Sequence, residues 1–525
     1  MPDLPVVIGA RGIDVDDVHG VAVRRAHVEL DPAAVQAMRR GRDSLAAAVA
    51  GGTPIYGVTT GLGARSGHIL SGEESAEVGL RTVRGRATAV GDRLPEPVVR
   101  AGMLARLASM ATGGSGASLE IATVLADMLN AAVHPVVPSI GSLGTGDLAP
   151  MAHVALVVAG EGRAVLDGRE VPGAQALSAA GLTPVTLGIR DGLALVATNA
   201  MGVGHAALIS RRAGAIAAWA HVVAALTFEG FRGSTAPLQP DVIARRSAPG
   251  EARSAAALLA LLDSGDLPDP RNARRLQDPV SLRGIACVHG ALLAALDFLR
   301  PALRAELTGA GDNPIVLAGG VIAPSAGFHT PALALALDTV SLALAQTAAA
   351  SAQRCARLLS PAMSGLPVNL TTRGRSRSGF APLLKTSQAL VAEIRHDAAP
   401  TVIDPRAGAA EVEDDSSNLP LGVRRLDRIT AHTLRLLAIE AVTAAQAVEL
   451  SAPPRIGAGP QRLYAAIREV VAPLDDDRPL GAEIEAVAAV VFTDEMLAAI
   501  PGLDSTLGHR PPAPGAPREP TVSPR

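Results

Sequence analysis

Apolar positions recur at helical spacing along most of the chain, and four runs carry the pattern furthest. Residues 200–227, Gly284–Leu307, Thr330–Leu359 and Ile429–Leu450 keep it over stretches too long for strands. Such lengths predict the core helices of a bundle. Pro301 falls inside the second run and predicts a kink or an end there. A shorter helix starts at Asp31-Pro32, a cap residue followed by proline at the first helical position, and ends at Gly51-Gly52. Residues 73–130 read as helices broken at Gly91-Asp92 and Gly113-Gly114, and 252–263 as an Ala/Leu helix followed by a polar loop. Residues 5–30 alternate only weakly, and Val6-Val7-Ile8, Val18, Val21 and Val23 predict short strands. Gly162 to Pro184 predicts a hairpin or loop. From Gly508 the chain is Pro-rich and expected to be disordered. The expected organisation is an N-terminal mixed region over 1–200, a helical bundle over 201–507 and a tail over 508–525.

Composition sharpens that picture. Hydrophobic residues make up 48% of the 525 residues and aromatics only 2%, so the interior must be built from Ala, Leu and Val, which suits close helix packing. The net charge is −3 with both signs mixed along the chain, which gives no nucleic-acid footprint. Cys287 and Cys355 lie in helical stretches and form neither a disulfide framework nor a metal-ligand spacing. With an N-terminus that lacks the pattern of a signal peptide, this predicts a reducing, cytoplasmic setting. The apolar stretch Leu193–Ser210 carries Asn199 and His205 and is followed by Arg211 and Arg212, so it reads as a buried helix rather than a membrane span.

The chemistry concentrates in Gly141-Ser142-Leu143-Gly144-Thr145-Gly146-Asp147-Leu148-Ala149-Pro150. Glycines there permit backbone geometries that side chains forbid, and Asp147 ahead of an apolar run is a candidate N-cap. Other short blocks stand out in order. They are Tyr56-Gly57-Val58-Thr59-Thr60-Gly61-Leu62-Gly63, Asp191-Gly192-Leu193-Ala194-Leu195-Val196, Gln277-Asp278-Pro279-Val280-Ser281-Leu282-Arg283, Gly311-Asp312-Asn313-Pro314, Gly327-Phe328-His329 and Glu411-Val412-Glu413-Asp414-Asp415. Together they resemble the aromatic amino acid ammonia-lyases, the family of histidine, phenylalanine and tyrosine ammonia-lyases, over about residues 30–460.

The resemblance implies a mostly α-helical lyase with a long-helix bundle, a homotetramer whose active sites mix residues of several subunits. It implies elimination of ammonia from an aromatic amino acid or histidine. A 2,3-aminomutase and a silent amino-acid-binding homologue remain as alternatives. It places Tyr56 and Glu413 as acid/base residues, Arg283 and Asn313 at the substrate carboxylate, Gln277 near the substrate or the electrophile and Phe328 beside the electrophile. Arg86 stands where histidine-specific members carry a histidine, which argues against histidine as substrate. Four carboxylates between Glu411 and Asp415 imply a raised pKa if that site is dry.

In the family an Ala-Ser-Gly triad cyclises and dehydrates to a methylidene-imidazolone, with no metal or external cofactor. Here three residues, Gly144, Thr145 and Gly146, separate Leu143 from Asp147 where the family has four. In one alignment the central hydroxyl is lost and no ring forms. In the other, Gly144-Thr145-Gly146 is the triad, and its product carries an extra methyl on the exocyclic carbon. The family's supporting Asn falls on Ala197, and Asn199 lies two residues on, expected on another helix face. Both departures favour a weakened or absent electrophile.

Overall fold

The structure is a computed structural model and describes residues 4–246, 248–374, 376–403, 413–503 and 507. The tail from Gly508, Glu411 and Val412 lie outside the described residues. The chain divides into two compact units. The first comprises Met1–Ser210, Phe298–Asp338 and Pro400–Arg425, the second Arg211–Asp297, Thr339–Ala399 and Leu426–Arg525. The fold is mostly α-helical, and its longest helices are Ala200–Phe231, Ile285–Thr308, Pro331–Leu358 and Leu419–Ser451. These match the four long apolar runs, with the last starting ten residues earlier than Ile429. Pro301 sits inside the second without ending it.

The first unit begins with Val6–Ile8, which pairs in parallel with Val28–Leu30 across the helix Val15–Ala22. Val18 and Val21 are therefore helical, not extended. Their i, i+3 spacing puts both on the buried face, and Asp14 and Asp17 close a capping box at its start. Asp31 caps Pro32–Ala50 as its sequence predicts, accepting a bond from the Ala33 amide at 2.6 Å. The segment after Gly160 is an antiparallel hairpin, Arg163–Leu166 with Arg169–Pro172, and His134–Pro135 adds a third strand. At the centre lies Glu96–Ala111, in which every residue from Val98 onward is buried. Two arginines on it hold neighbouring segments. Arg100 donates to the carbonyls of Val21 and Leu129. Arg106 pairs at 2.7 Å with Asp312, and both side chains are buried.

Asp312 also accepts from Arg190, whose guanidinium reaches the carbonyls of Ser115, Asn313 and Pro314. This network fixes the loop that carries Asn313. A buried ion pair of this kind is tolerated because the donors and acceptors around it are largely satisfied. In the second unit the corresponding anchor is Glu440. It accepts from Arg354, Thr227 and Ser351, and neither Arg354 nor Glu440 is exposed.

Candidate active site

The loop Gly141–Pro150 is held from several sides within the first unit. Gly144 and Gly146 both take positive φ, +78° and +75°, on either side of Thr145. A side chain at either would be strained. At Gly144 an added Cβ would also lie 2.4 Å from the Ser417 hydroxyl. Asp147 does not cap the helix that follows, Ala149–Val158, which has no side-chain cap. Its carboxylate turns instead to the Ser142 hydroxyl and to the amide of Gly202, in the first turn of Ala200–Phe231. The tight turn at Gly146 aims the side chain across to that second helix start. Full burial pushes the Asp147 carboxyl up to about 6, against the opposing hydrogen bonds from Ser142 and Gly202.

Asn199 is the central contact of the loop. The helix Asp191–Val196 stops at Ala197, and the chain turns before restarting at Ala200. The helical-face expectation for Asn199 therefore fails, because positions 197–199 are not helical. Freed from that register, the Asn199 side-chain oxygen accepts from the amides of Gly146 (3.2 Å) and Asp147 (3.1 Å). Its NH2, with two hydrogens, lies within donor reach of three acceptors that share them, the Gly144 carbonyl at 3.1 Å, the Phe328 carbonyl and the Thr330 hydroxyl. Two N–H donors on one side and carbonyls on the other admit only this orientation of the amide. Ser417 donates a second bond to the Gly144 carbonyl, at 2.9 Å. Sequence reading missed Asn199 and Ser417 in these positions, because both depend on where two distant turns deliver them.

Thr145 and His329 pair as an isolated antiparallel bridge, and the Thr145 hydroxyl donates to the backbone carbonyl of Asp415 at 2.9 Å. The Asp415 carboxylate meets His329 Nε2 at 3.2 Å. The Phe328 ring lies against Gly146, 3.6 Å from the position of an added Cβ. Asp414 and Asp415 face solvent and Glu413 is half-buried, so these three carboxylates do not form the dry site on which a raised value was conditional.

A second group gathers around Arg86. Burial lowers its guanidinium below the usual range, while Tyr56 and Glu413, both within electrostatic reach, hold it up. The Tyr56 hydroxyl accepts from the Gly63 amide at 3.1 Å, which closes the Gly-rich loop on itself. Asn313 spends its side-chain oxygen on the Ser325 amide at 3.0 Å, tying two loops together. Gln277 and Arg283 belong to the second unit and are exposed, as is Leu276.

A cavity of about 120 Å³ lies beside the loop, lined by Ser109, Thr198, Asn199, Glu306, Phe328 and Thr330 among others. It is below the roughly 300 Å³ of small-molecule pockets. Burial alone pushes the Glu306 carboxyl there up to about 7.

Long apolar helices and a Gly-Thr-Gly turn clamped by Asn199 and Ser417 define a mostly helical bundle protein with one tightly held loop. The family profile for aromatic amino acid lyase matches residues 13–469. Histidine ammonia-lyase of Stigmatella aurantiaca is 39% identical over 493 residues, covering 93% of this chain and 96% of the relative. Tyrosine aminomutase from Streptomyces globisporus superposes with a TM-score of 0.88 at 32% identity, covering 94% of this chain and 98% of that one. The ergothioneine-degrading enzyme ergothionase from Treponema denticola gives 0.88 at 28% identity, covering 94% and 99%. The chain belongs to the aromatic amino acid lyase family. That family works through an electrophile made autocatalytically from its own backbone, without a metal.

Proposed function

We propose that this protein eliminates ammonia from an aromatic amino acid or histidine to give the α,β-unsaturated acid. The observation that carries the reading is the tripeptide Gly144–Thr145–Gly146 clamped by Asn199 and Ser417, in the same unit as Tyr56, Arg86 and Glu413. The tripeptide is the precursor of the electrophile in this reading. Its fit rests on Asn199, which holds the Gly146 amide and the Gly144 carbonyl, the two groups that ring closure must join. When formed, the group would supply an electrophile that draws electrons from the substrate and makes the amine a better leaving group. Tyr56 or Glu413 then takes the β-proton, and Arg283 pairs bidentately with the carboxylate. Phe328 lies against Gly146 and would cover one side of the group.

Arg86 weighs against histidine. A half-buried guanidinium repels an imidazolium and offers only donors, which disfavours protonated histidine and favours a neutral substrate side chain that accepts hydrogen bonds. The assembly is a homotetramer in this reading. The loop cavity is too small for a substrate and Arg283 is exposed, so other copies complete the site.

The test is ammonia release and ultraviolet product formation from histidine, tyrosine and phenylalanine. Turnover of one of them is expected, with Tyr56→Phe lower by about 10²–10⁴-fold. Arg283→Lys is expected to lose about 1.5–3 kcal/mol of carboxylate binding, roughly ten- to hundredfold in kcat/KM. A β-amino acid as main product would assign an aminomutase instead, and no turnover of any of the three sinks the reading.

A further inference from the structure

Two departures from the family text sit in this chain, a loop one residue short and an asparagine two residues late. We propose that they compensate each other, and that Asn199 with Ser417 drives ring closure of Gly144–Thr145–Gly146. This inference rests on the tripeptide being the electrophile's precursor.

The geometry is that of a prepared acyl reaction. For the ring to close, the Gly146 amide nitrogen attacks the Gly144 carbonyl carbon. A nitrogen–carbon bond forms, and the carbonyl π pair moves onto oxygen. That oxygen already carries two donors, the Asn199 NH2 at 3.1 Å and the Ser417 hydroxyl at 2.9 Å. The charge developing there meets fixed dipoles in a buried place, which is the arrangement that stabilises acyl-transfer transition states. The same Asn199 side chain accepts from the attacking nitrogen at 3.2 Å, so one rigid amide orients both reacting groups. The oxygen then leaves as water with the protons of the Gly146 and Thr145 amides, and a carbon–nitrogen double bond remains. A second water takes the Thr145 hydroxyl and its α-proton, leaving the exocyclic carbon–carbon double bond.

The two departures and the contacts around them fit together. Ser417 reaches the carbonyl only because position 144 has no Cβ, since one would stand 2.4 Å from its oxygen. Asn199 reaches the loop only because the helix before it ends at Ala197, leaving 197–199 free to turn inward. Ala197 itself is tied by a backbone bridge to Asp147, so an asparagine there starts from a different edge of the loop. Shortening the loop and moving the amide are thus one change made in two places.

The experiment is the intact mass of the purified full chain, mapped by peptides over the loop. Wild-type protein is expected short by two waters. Asn199→Ala removes one donor and the orienting acceptor, so ring closure slows by on the order of 10²–10³-fold and freshly made protein keeps its full mass. Ser417→Ala is the second variant, with a smaller deficit than wild type after equal time. Moving the amide to the relatives' position, Ala197→Asn with Asn199→Ala, is expected to leave the mass full. Thermal melting confirms that each variant is folded, and Ser417→Ala carries the test if Asn199→Ala is not. Full dehydration in folded Asn199→Ala or Ser417→Ala overturns the inference while leaving the electrophile in place. Dehydration restored by the moved asparagine overturns the compensation. A full mass in the wild type overturns the electrophile itself, and the inference with it.

Discussion

At the scale of single residues, Gly144 is where composition and geometry meet. The relatives' alanine at the first position of the triad has no room here, because φ is +78° and Ser417 occupies the Cβ position. Gly144→Ala is expected to cost about 1–2 kcal/mol for the left-handed backbone alone. It also displaces the Ser417 hydroxyl, and the mutant protein should show the mass of the unmodified chain. Restoring the family's residue would therefore weaken this loop, the reverse of what an alignment suggests. Arg86 makes a similar point. Its number was legible in the sequence, but its company of Tyr56 and Glu413 needed two loops and a helix end to be brought to one place.

At the scale of elements, the last turn of Ile285–Thr308 presents Glu306 to the small polar cavity. Among the described residues no hydrogen bond or ion pair to its carboxyl is found. Burial raises it from the model-compound value of 4.5 to about 7. A raised folded-state value means that the folded chain holds the proton more tightly. The stabilising contribution is therefore complete below about pH 4.5 and is lost as pH rises through about 7. Glu306→Gln is expected to melt higher than wild type at pH 8, with the gap closing as pH falls toward 4.5. A gap that stays constant with pH would remove the carboxyl as its cause. In the second unit the helices Pro331–Leu358 and Leu419–Ser451 are joined by Arg354 and Glu440, both without exposure. Arg354→Met leaves Glu440 without its cation, and a loss of about 3–5 kcal/mol in denaturant unfolding is expected.

At the scale of the whole molecule, two observations bear on assembly and on pH. The apolar window of Ala200–Phe231 is 94% buried, but those of Ile285–Thr308 and Pro331–Leu358 are only 44% and 56% buried. Phe298, Leu335 and Leu342 stand about half exposed on the latter two. In the proposed homotetramer other copies cover such faces, and Phe298→Glu with Leu342→Glu is expected to shift the mass seen by light scattering toward the monomer. Unchanged mass would remove these faces from the interface. His221 and His289 form a buried edge-to-face pair with ring centroids 4.7 Å apart. Burial pushes His221 down to about 4, against the pull of the Ala217 carbonyl, and holds His289 well below its usual value. A depressed folded-state value makes this contribution present above about pH 6.5 and lost as pH falls through about 4. Melting temperature is expected to fall over that window, and less steeply in His289→Phe.

The sequence by itself determined the long helices and the family. Helical periodicity and cap residues such as Asp31-Pro32 act through neighbours three or four positions away, and short motif blocks keep their order whatever the fold does. It also supplied the candidates Tyr56, Arg86, Thr145, Phe328 and Glu413. It could not say that Asn199 replaces the asparagine missing at 197, because that depends on a helix ending at Val196. Nor could it place Ser417 on the Gly144 carbonyl or turn Asp147 toward Gly202. Those contacts join residues 273 and 55 positions apart, and no local spacing encodes them. A deletion and a shifted amide look like two losses in one dimension. Only the tertiary structure shows them meeting at a single carbonyl, because hydrogen-bond geometry is decided by distance in space and not along the chain.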